Sequence, residues 1–220
     1  MIDFDLPRLK KVLCLGAHSD DIEIGCGGTL LKMARERPDL DVRWIVFSAG
    51  GARTIEAKRS ASDFLCGLTR QEVVVKRFRT SFFPSQNERI KEYFEHVKQT
   101  FHPDLIFTHY RDDRHQDHRV LSDLAWNTFR SHLILEYEIP KYDGDLGIPN
   151  FFVALDEIIA RKKVENLCRH FQTQSNKHWF SRDTFLGLMR LRGIECGARY
   201  AEAFHARKLT WHPQSIPTSV

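Results

Sequence analysis

At 220 residues, the chain is long enough to bury a full hydrophobic core and is most simply one domain spanning residues 1–220. Hydrophobic residues make up 42% of it and charged residues 28%, a composition typical of soluble globular proteins. The net charge of +4 is mild and the basic residues are spread out, which argues against a nucleic-acid-binding protein. No apolar run approaches the roughly 20 residues that a membrane-spanning helix needs.

The number and spacing of the cysteines indicate the cellular compartment in which the protein resides. The five cysteines are odd in number and widely scattered, and none forms a C-x-x-C pair. Buried thiols in a reducing cytosol explain this pattern better than a disulfide framework or a cysteine-based structural zinc site. We therefore expect a cytoplasmic protein.

Hydrophobic periodicity and turn residues predict strands that alternate with helices along the chain. The predicted strands are Lys11–Gly16, Asp41–Phe47, Val73–Val75, Asp104–Thr108, Leu133–Tyr137, Phe151–Leu155 and a last one entered through Tyr200–Phe204. The predicted helices are Thr29–Arg35, Ile55–Leu65, Asn87–Phe101, Arg119–Phe129, Leu155–Phe171 and Asp183–Ile194. This alternation favours βαβ units and therefore predicts an α/β, three-layer Rossmann-like fold with a mainly parallel sheet flanked by helices.

An imidazole and two adjacent carboxylates directly follow the first predicted strand. They are His18, Asp20 and Asp21, within the segment Ala17-His18-Ser19-Asp20-Asp21. In open α/β sheets, ligands bind outside the carboxyl ends of the strands, so this is where reactive groups would be placed. The spacing of His18 and Asp21 allows both side chains to face one metal ion, because histidine nitrogen and carboxylate oxygen are both common zinc ligands.

A second window follows the fourth predicted strand. His115 and His118 have the same three-residue spacing there, at the start of a predicted helix. Because both windows follow the ends of parallel strands, they belong on the same edge of the sheet. A single His-x-x-Asp is most often a hydrogen-bonded turn, but two similarly placed windows favour a metal site.

These two windows resemble the motifs of the PIG-L/LmbE-like zinc N-deacetylases. The segment 16–21 is similar to the family's A-H-P-D-D motif, with Ser19 in place of the usual proline. Residues 113–118 are similar to D-x-H-x-D-H, in the Arg-containing form of the bacillithiol-pathway deacetylases. Residues 200–204 resemble the C-terminal Y-A-E-x-F segment. The resemblance spans about residues 11–210 and implies an LmbE-like fold.

The resemblance also implies a role for each matching residue. His18, Asp21 and His118 would bind one zinc ion, with Fe²⁺ as an alternative divalent metal. Asp20 would be the general base that takes a proton from water. His115 would stabilise the oxyanion of the tetrahedral intermediate or protonate the leaving amine.

Four further residues receive supporting roles. Asp117 would hydrogen-bond a histidine of the second window and fix its tautomer. Arg114 would hold a nearby carboxylate or a substrate oxygen, and Tyr200 is a candidate oxyanion donor. Arg53, which follows the second predicted strand, is either a substrate contact or a surface arginine.

The implied activity is hydrolysis of the N-acetyl group of an N-acetylglucosamine-type amino sugar or its conjugate, with release of acetate. The alternatives are a metal-dependent phosphoesterase and a non-catalytic member of the fold that binds a sugar or a nucleotide. The partner is a small-molecule amino sugar. The oligomeric state is left open by the sequence, and a homo-oligomer is possible because relatives are often trimers or hexamers.

Overall fold

The computed structural model describes Leu6 and residues 8–210, which contain seven strands and six α-helices. The strands are β1 (Lys11–Gly16), β2 (Asp41–Val46), β3 (Arg70–Val75), β4 (Leu105–His109), β5 (Leu133–Tyr137), β6 (Phe151–Leu155) and β7 (Tyr200–Ala206). The helices are α1 (Asp21–Glu36), α2 (Ala52–Phe64), α3 (Asn87–Thr100), α4 (Gln116–Thr128), α5 (Glu157–His170) and α6 (Arg182–Glu195). Two short 3₁₀ helices cover Phe83–Gln86 and Gln172–Gln174.

All seven strands belong to one sheet in the order β3-β2-β1-β4-β5-β7-β6. The first five pair in parallel, while β7 runs antiparallel to both β5 and β6. The predicted mainly parallel sheet is therefore confirmed. The chain adds strands on one side of β1 from β1 to β3 and on the other side from β4 onward. Such a change of direction opens a crevice at the carboxyl ends of β1 and β4.

Helices cover both faces of the sheet, as the three-layer prediction requires. Successive residues of a strand point to opposite faces of the sheet, as β1 shows. Val12 and Cys14 pack into the cluster beneath α1, α2, α5 and α6. Leu13 and Leu15 pack into the cluster beneath α3 and α4.

Helix α1 begins earlier than the sequence predicts. It starts at Asp21 rather than Thr29 and takes in three glycines, although glycine is a poor helix former. A β-carbon at Gly25 would lie 2.2 Å from the Tyr137 ring, and one at Gly27 would lie 2.5 Å from the Phe64 ring. Close packing of α1 against its neighbours therefore outweighs local helix propensity.

Helix α4 also begins earlier than predicted, at Gln116 rather than Arg119. His118 consequently lies in its first turn, and Asp21 is the first residue of α1. None of the helices in the described part of the chain is long and apolar enough to cross a membrane.

Candidate active site

A pocket of about 270 Å³ lies at the carboxyl ends of β1 and β4. The two motif-bearing windows both contribute to its lining, with His18, Asp20, Asp21, His115 and His118. Their common placement follows from the topology, because β1 and β4 are parallel neighbours in the sheet.

Three atoms that can bind a metal meet in this lining. His18 Nδ1 lies 3.4 Å from Asp21 Oδ2 and 3.2 Å from His118 Nε2. The third side of the triangle, from His118 Nε2 to Asp21 Oδ2, measures 3.5 Å. All three side chains are buried.

Carboxylates hold the second ring nitrogen of both histidines. His18 Nε2 lies 3.1 Å from Asp117 Oδ2, and His118 Nδ1 lies 2.9 Å from Asp113 Oδ2. Lys141 Nζ in turn lies 3.0 Å from Asp113 Oδ2. Such contacts fix the ring orientation and aim the other nitrogen of each ring at a common point, where a metal ion would take the place of a proton.

This arrangement fits a zinc ion. Tetrahedral zinc bound to nitrogen and oxygen at about 2.0–2.2 Å keeps its ligand atoms about 3.3–3.6 Å apart. The separations of 3.4 and 3.5 Å fall within that range, and the third, 3.2 Å, lies just below it. Two imidazoles and one carboxylate form a three-ligand set of the kind found at catalytic zinc sites.

His109 and His115 enlarge the cluster without replacing this set. Asp21, His109 and His118 form an overlapping group, as do His18, His115 and His118, each with ligand atoms within 4.8 Å of one another. His109 Nε2, however, also accepts the Ala17 N–H at 3.0 Å, which engages its lone pair. His109 therefore supports the loop at Ala17, and its Nε2 also lies 3.3 Å from Asp21 Oδ2.

The charges of the cluster are strongly coupled. Burial disfavours charge on His18, but Asp21 and Asp117 outweigh it and raise the pKa of His18 to about 9. Burial and the neighbouring His109 lower the pKa of His118 to about 3. Burial opposes ionisation of Asp21, yet the surrounding histidines hold its pKa well below the usual range. The carboxylate of Asp21 is therefore the fixed negative charge of the site.

Asp20 lies beside this set and differs from Asp21 in its environment. Its Oδ1 accepts a hydrogen bond from Arg53 Nη2 at 3.2 Å. Burial and the adjacent Asp21 raise the pKa of Asp20, while Arg53 opposes the shift. Ser19 contributes here, because its Oγ accepts a hydrogen bond from Arg53 Nε at 3.0 Å. Proline, which the family usually carries at this position, has no group to make that contact.

His115 caps the start of α4 with its ring. Its Nδ1 accepts the Asp117 N–H at 3.2 Å, so the neutral ring carries its proton on Nε2. Burial lowers the pKa of His115, with His18 adding to the effect. The remaining ring nitrogen, Nε2, is therefore the hydrogen-bond donor that His115 can present.

The structure brings most of the predicted residues together but not all of them. Arg53 lines the pocket, whereas the Arg114 side chain is exposed and its backbone N–H donates to Asp145 at 2.7 Å. Tyr200 lies opposite Leu155 at the start of β7, and its ring packs against the core cluster beneath α1. Alternate strand residues share a face, so Tyr200 follows Phe204 into that core instead of facing the site.

Asp117 contacts a different histidine from the expected one. It bonds His18 of the first window, and Asp113 supports His118 instead. The supporting residues that sequence reasoning missed are Asp113 and Lys141. Asp113 carries a usable signal as the first residue of the D-x-H-x-D-H motif, while Lys141 lies in a loop without a motif.

Comparison with known proteins agrees with the fold and the motifs. A family model described as PIG-L, GlcNAc-PI de-N-acetylase, matches residues 13–129. The uncharacterised deacetylase YaiS of Escherichia coli K12 is 28% identical over 172 residues, covering 74% of this chain and 91% of that protein.

Two solved structures show how widely the fold is used. The N,N'-diacetylchitobiose deacetylase of Pyrococcus horikoshii superposes with a TM-score of 0.72 at 21% identity, covering 92% of this chain and 86% of that one. The 4-carboxy-2-hydroxymuconate hydratase of Pseudomonas putida KT2440 superposes with a TM-score of 0.70 at 14% identity, covering 94% and 100%. Similarity at these identities shows the fold alone, which supports more than one reaction. The family model, by contrast, spans more than half of the chain and both motif windows, so this chain belongs to the PIG-L family of de-N-acetylases, hydrolases of an amide C–N bond.

Proposed function

We propose that this protein is a zinc-dependent deacetylase that removes the acetyl group from an N-acetylglucosamine-type sugar. The observation that carries the proposal is the triangle of donor atoms from His18, Asp21 and His118, with sides of 3.2, 3.4 and 3.5 Å. Zinc, when bound there, would polarise the acetyl carbonyl and lower the pKa of a water molecule. Asp117 and Asp113 would hold the two histidines in their binding orientation.

Asp20 is the general base of this scheme. It lines the pocket beside Asp21, but its carboxylate is bound by Arg53 instead of the histidines. Asp20 takes the proton of the attacking water as the water oxygen bonds to the acetyl carbon. The C–N bond then breaks, and the same proton passes to the leaving amine.

His115 supplies the hydrogen bond to the developing oxyanion. Its Nδ1 is engaged by the Asp117 N–H, so Nε2–H is the donor it can offer to the pocket. Arg53 orients Asp20 and remains half-buried in the lining, where it can also meet a sugar hydroxyl.

The pocket also fits the proposed substrate in size and polarity. Its volume of about 270 Å³ is near the lower end of ligand pockets, roughly 300–1,000 Å³. It therefore suits a group of about one sugar ring, and its charged and hydroxyl-bearing side chains suit a polyol.

The test combines metal analysis with acetate release from N-acetylglucosamine glycosides. We expect one zinc per chain and acetate release in the parent protein. Asp20→Asn should keep the zinc and lower turnover by about 10²–10⁴-fold, because only the proton acceptor is lost. His118→Ala should lose both the zinc and the activity.

Asp123→Asn is a matched control, because Asp123 is exposed on α4 and does not line the pocket. It should keep the zinc and the base-dependent chemistry. If the Asp20→Asn variant released acetate at the rate of the parent protein, the assignment of Asp20 as the general base would be wrong. Release of phosphate from sugar phosphates, without acetate release, would indicate a phosphoesterase instead.

A further inference from the structure

Positive charge is concentrated in the segment that follows β3. Residues 76–89 contain four basic side chains and one acidic one, Glu88. The four basic residues, which we call the basic patch, are Lys76, Arg77, Arg79 and Arg89. Within Leu6 and residues 8–210, no carboxylate forms an ion pair with any of them, and Glu72 of β3 is engaged by Arg43 at 2.7 Å instead. The patch therefore presents an excess of positive charge.

Aromatic rings hold two of these cations in place. The guanidinium carbon of Arg79 lies 3.6 Å from the centroid of the Phe82 ring, and Lys76 Nζ lies 4.0 Å from that of Tyr93. Gln86 braces the first pair, because its Nε2 donates to the carbonyls of Arg79 at 3.0 Å and of Phe82 at 3.1 Å. A stacked guanidinium keeps its N–H edge available to an anion. The patch is therefore preorganised to meet negative charge.

Exposed apolar side chains accompany the cations. Phe82 is 42% exposed, and Ile55 in α2 is 54% exposed. The segment that leads into α2 is joined to the basic patch, because the Ala49 N–H donates to the Lys76 carbonyl at 3.2 Å. Two exposed basic residues follow Ile55 at three- and four-residue spacing and so share its face of the helix: Lys58 and Arg59. Apolar side chains thus stand among unpaired cations around the β3 edge of the sheet.

We propose that this surface docks on an anionic lipid bilayer. Basic side chains are attracted to anionic headgroups, while exposed aromatic and aliphatic side chains enter the boundary between the headgroups and the acyl chains. The apolar side chains favour a bilayer over a dissolved polyanion, which would engage the cations alone. Thr80 and Ser81, between Arg79 and Phe82, line the pocket, so the bilayer would lie beside its mouth. Docking of this kind requires neither a membrane-spanning helix nor the reaction proposed above.

Flotation of the full-length protein with lipid vesicles measures the docking. Vesicles of phosphatidylcholine alone are compared with vesicles that also contain about 30% phosphatidylglycerol, an anionic lipid. We expect partition onto the anionic vesicles to be stronger by about tenfold at about 0.1 M salt, and the difference to shrink at about 0.5 M, because salt screens the charges. Equal partition onto the two kinds of vesicle would overturn the proposal.

A double variant, Arg77→Gln with Arg79→Gln, tests the basic patch. It should weaken partition onto anionic vesicles by about 25-fold, because each basic side chain near an anionic surface contributes about fivefold. The matched control is Arg70→Gln with Lys98→Gln, which removes the same charge from the first residue of β3 and the last turn of α3, at the opposite edge of the sheet. The control should stay within about twofold of the parent protein. Equal losses in the two double variants would show attraction by net charge alone and refute the docking surface.

The apolar contribution is tested by Phe82→Ala, which keeps the charge. It should weaken partition onto anionic vesicles by about three- to tenfold, because less apolar surface enters the bilayer. Ile158→Ala removes an apolar side chain that is 75% exposed on α5, and it should bind as the parent protein does. Binding to poly-L-glutamate as tight as to anionic vesicles, and unchanged in Phe82→Ala, would indicate an acidic protein partner and refute the bilayer.

Discussion

A single carboxylate, Asp117, joins His18 in the pocket to the loop that contains Ser81 and Phe83. It bonds His18 Nε2 and also accepts the backbone N–H of Ser81 at 2.6 Å and of Phe83 at 3.1 Å. These backbone bonds and His18 lower the pKa of Asp117 although burial opposes ionisation. Ser81 has a φ of 66°, the positive region that side chains other than glycine rarely adopt. The Asp117 carboxylate thus holds a strained residue at the edge of the pocket.

We predict that Ser81→Gly stabilises the protein. Glycine adopts this conformation without a β-carbon clash, and the backbone N–H that Asp117 accepts is retained. Urea unfolding should show a free energy of unfolding higher by about 0.5–1 kcal/mol, the relieved strain less the extra chain entropy of glycine. Ser81→Ala keeps the strain and serves as the control. Equal stability of the two variants would argue against strain at this position.

At the level of elements, helix α1 is the part that connects the sheet to the site. Its middle is held by the buried ion pair of Lys163 and Glu202, whose Nζ and Oε1 lie 2.6 Å apart. Glu202 accepts the Gly28 and Thr29 N–H groups at 2.7 and 2.6 Å, and Lys163 donates to the Ile24 carbonyl at 2.6 Å. These contacts fix the helix that begins with Asp21.

We predict that Gly25→Ala destabilises the fold by about 2–3 kcal/mol, a typical overpacking cost, because its β-carbon would overlap the Tyr137 ring. Because α1 begins with Asp21, a shift of this helix should also weaken the zinc binding that we propose. Competition with a chelator can measure the change in affinity.

Gly187→Ala provides the matched control, since Gly187 lies in α6 with nothing within 4 Å of an added β-carbon. It should instead gain about 0.5–1 kcal/mol from improved helix propensity. A neutral Gly25→Ala variant would show that α1 can move away from the sheet at little cost.

Across the whole molecule, buried ionisable groups away from the site link stability to pH. His205 on β7 stacks on the Tyr110 ring with centroids 4.0 Å apart. Burial, helped by Arg207 and Arg192 and opposed by Glu136 and Asp112, lowers the pKa of His205 to about 4. In the unfolded chain the pKa of histidine is about 6.5. The unfolded state therefore binds the proton more readily throughout the interval between these two values.

Stability should consequently fall as the pH decreases from about 6.5 to 4, with a contribution from His205 of up to about 3 kcal/mol, because one pKa unit corresponds to about 1.4 kcal/mol. His205→Gln cannot take up this proton, so its loss of stability over that interval should be smaller by this amount. Urea unfolding of both proteins at pH 7, 5.5 and 4.5 measures the difference, and the other titrating groups cancel in the comparison. Parallel pH profiles would exclude His205 as a source of the acid sensitivity.

Local patterns were enough to predict the fold class and the two windows of the site. Strand and helix periodicities are properties of neighbouring residues, and the carboxyl ends of parallel strands share one edge. That is why the two windows were expected at one edge of the sheet, whereas the grouping of His18, Asp21 and His118 is what the family resemblance implies for them. Roles that the resemblance implies for them, metal binding above all, stay proposals for the experiments above.

Only the tertiary structure decided which groups support that site, because the contacts join residues far apart in the chain. Asp117 bonds His18 across 99 positions, and Gly28 meets Glu202 across 174, so neither partner can be read from spacing. The early start of α1 follows from packing against Tyr137, which local propensity does not contain. The alternation of β7 likewise directs Tyr200 into the core. The sequence by itself determined the type of fold and the edge of the sheet where the two windows meet, because both follow from local pattern, and three-dimensional packing determined which distant residues support them.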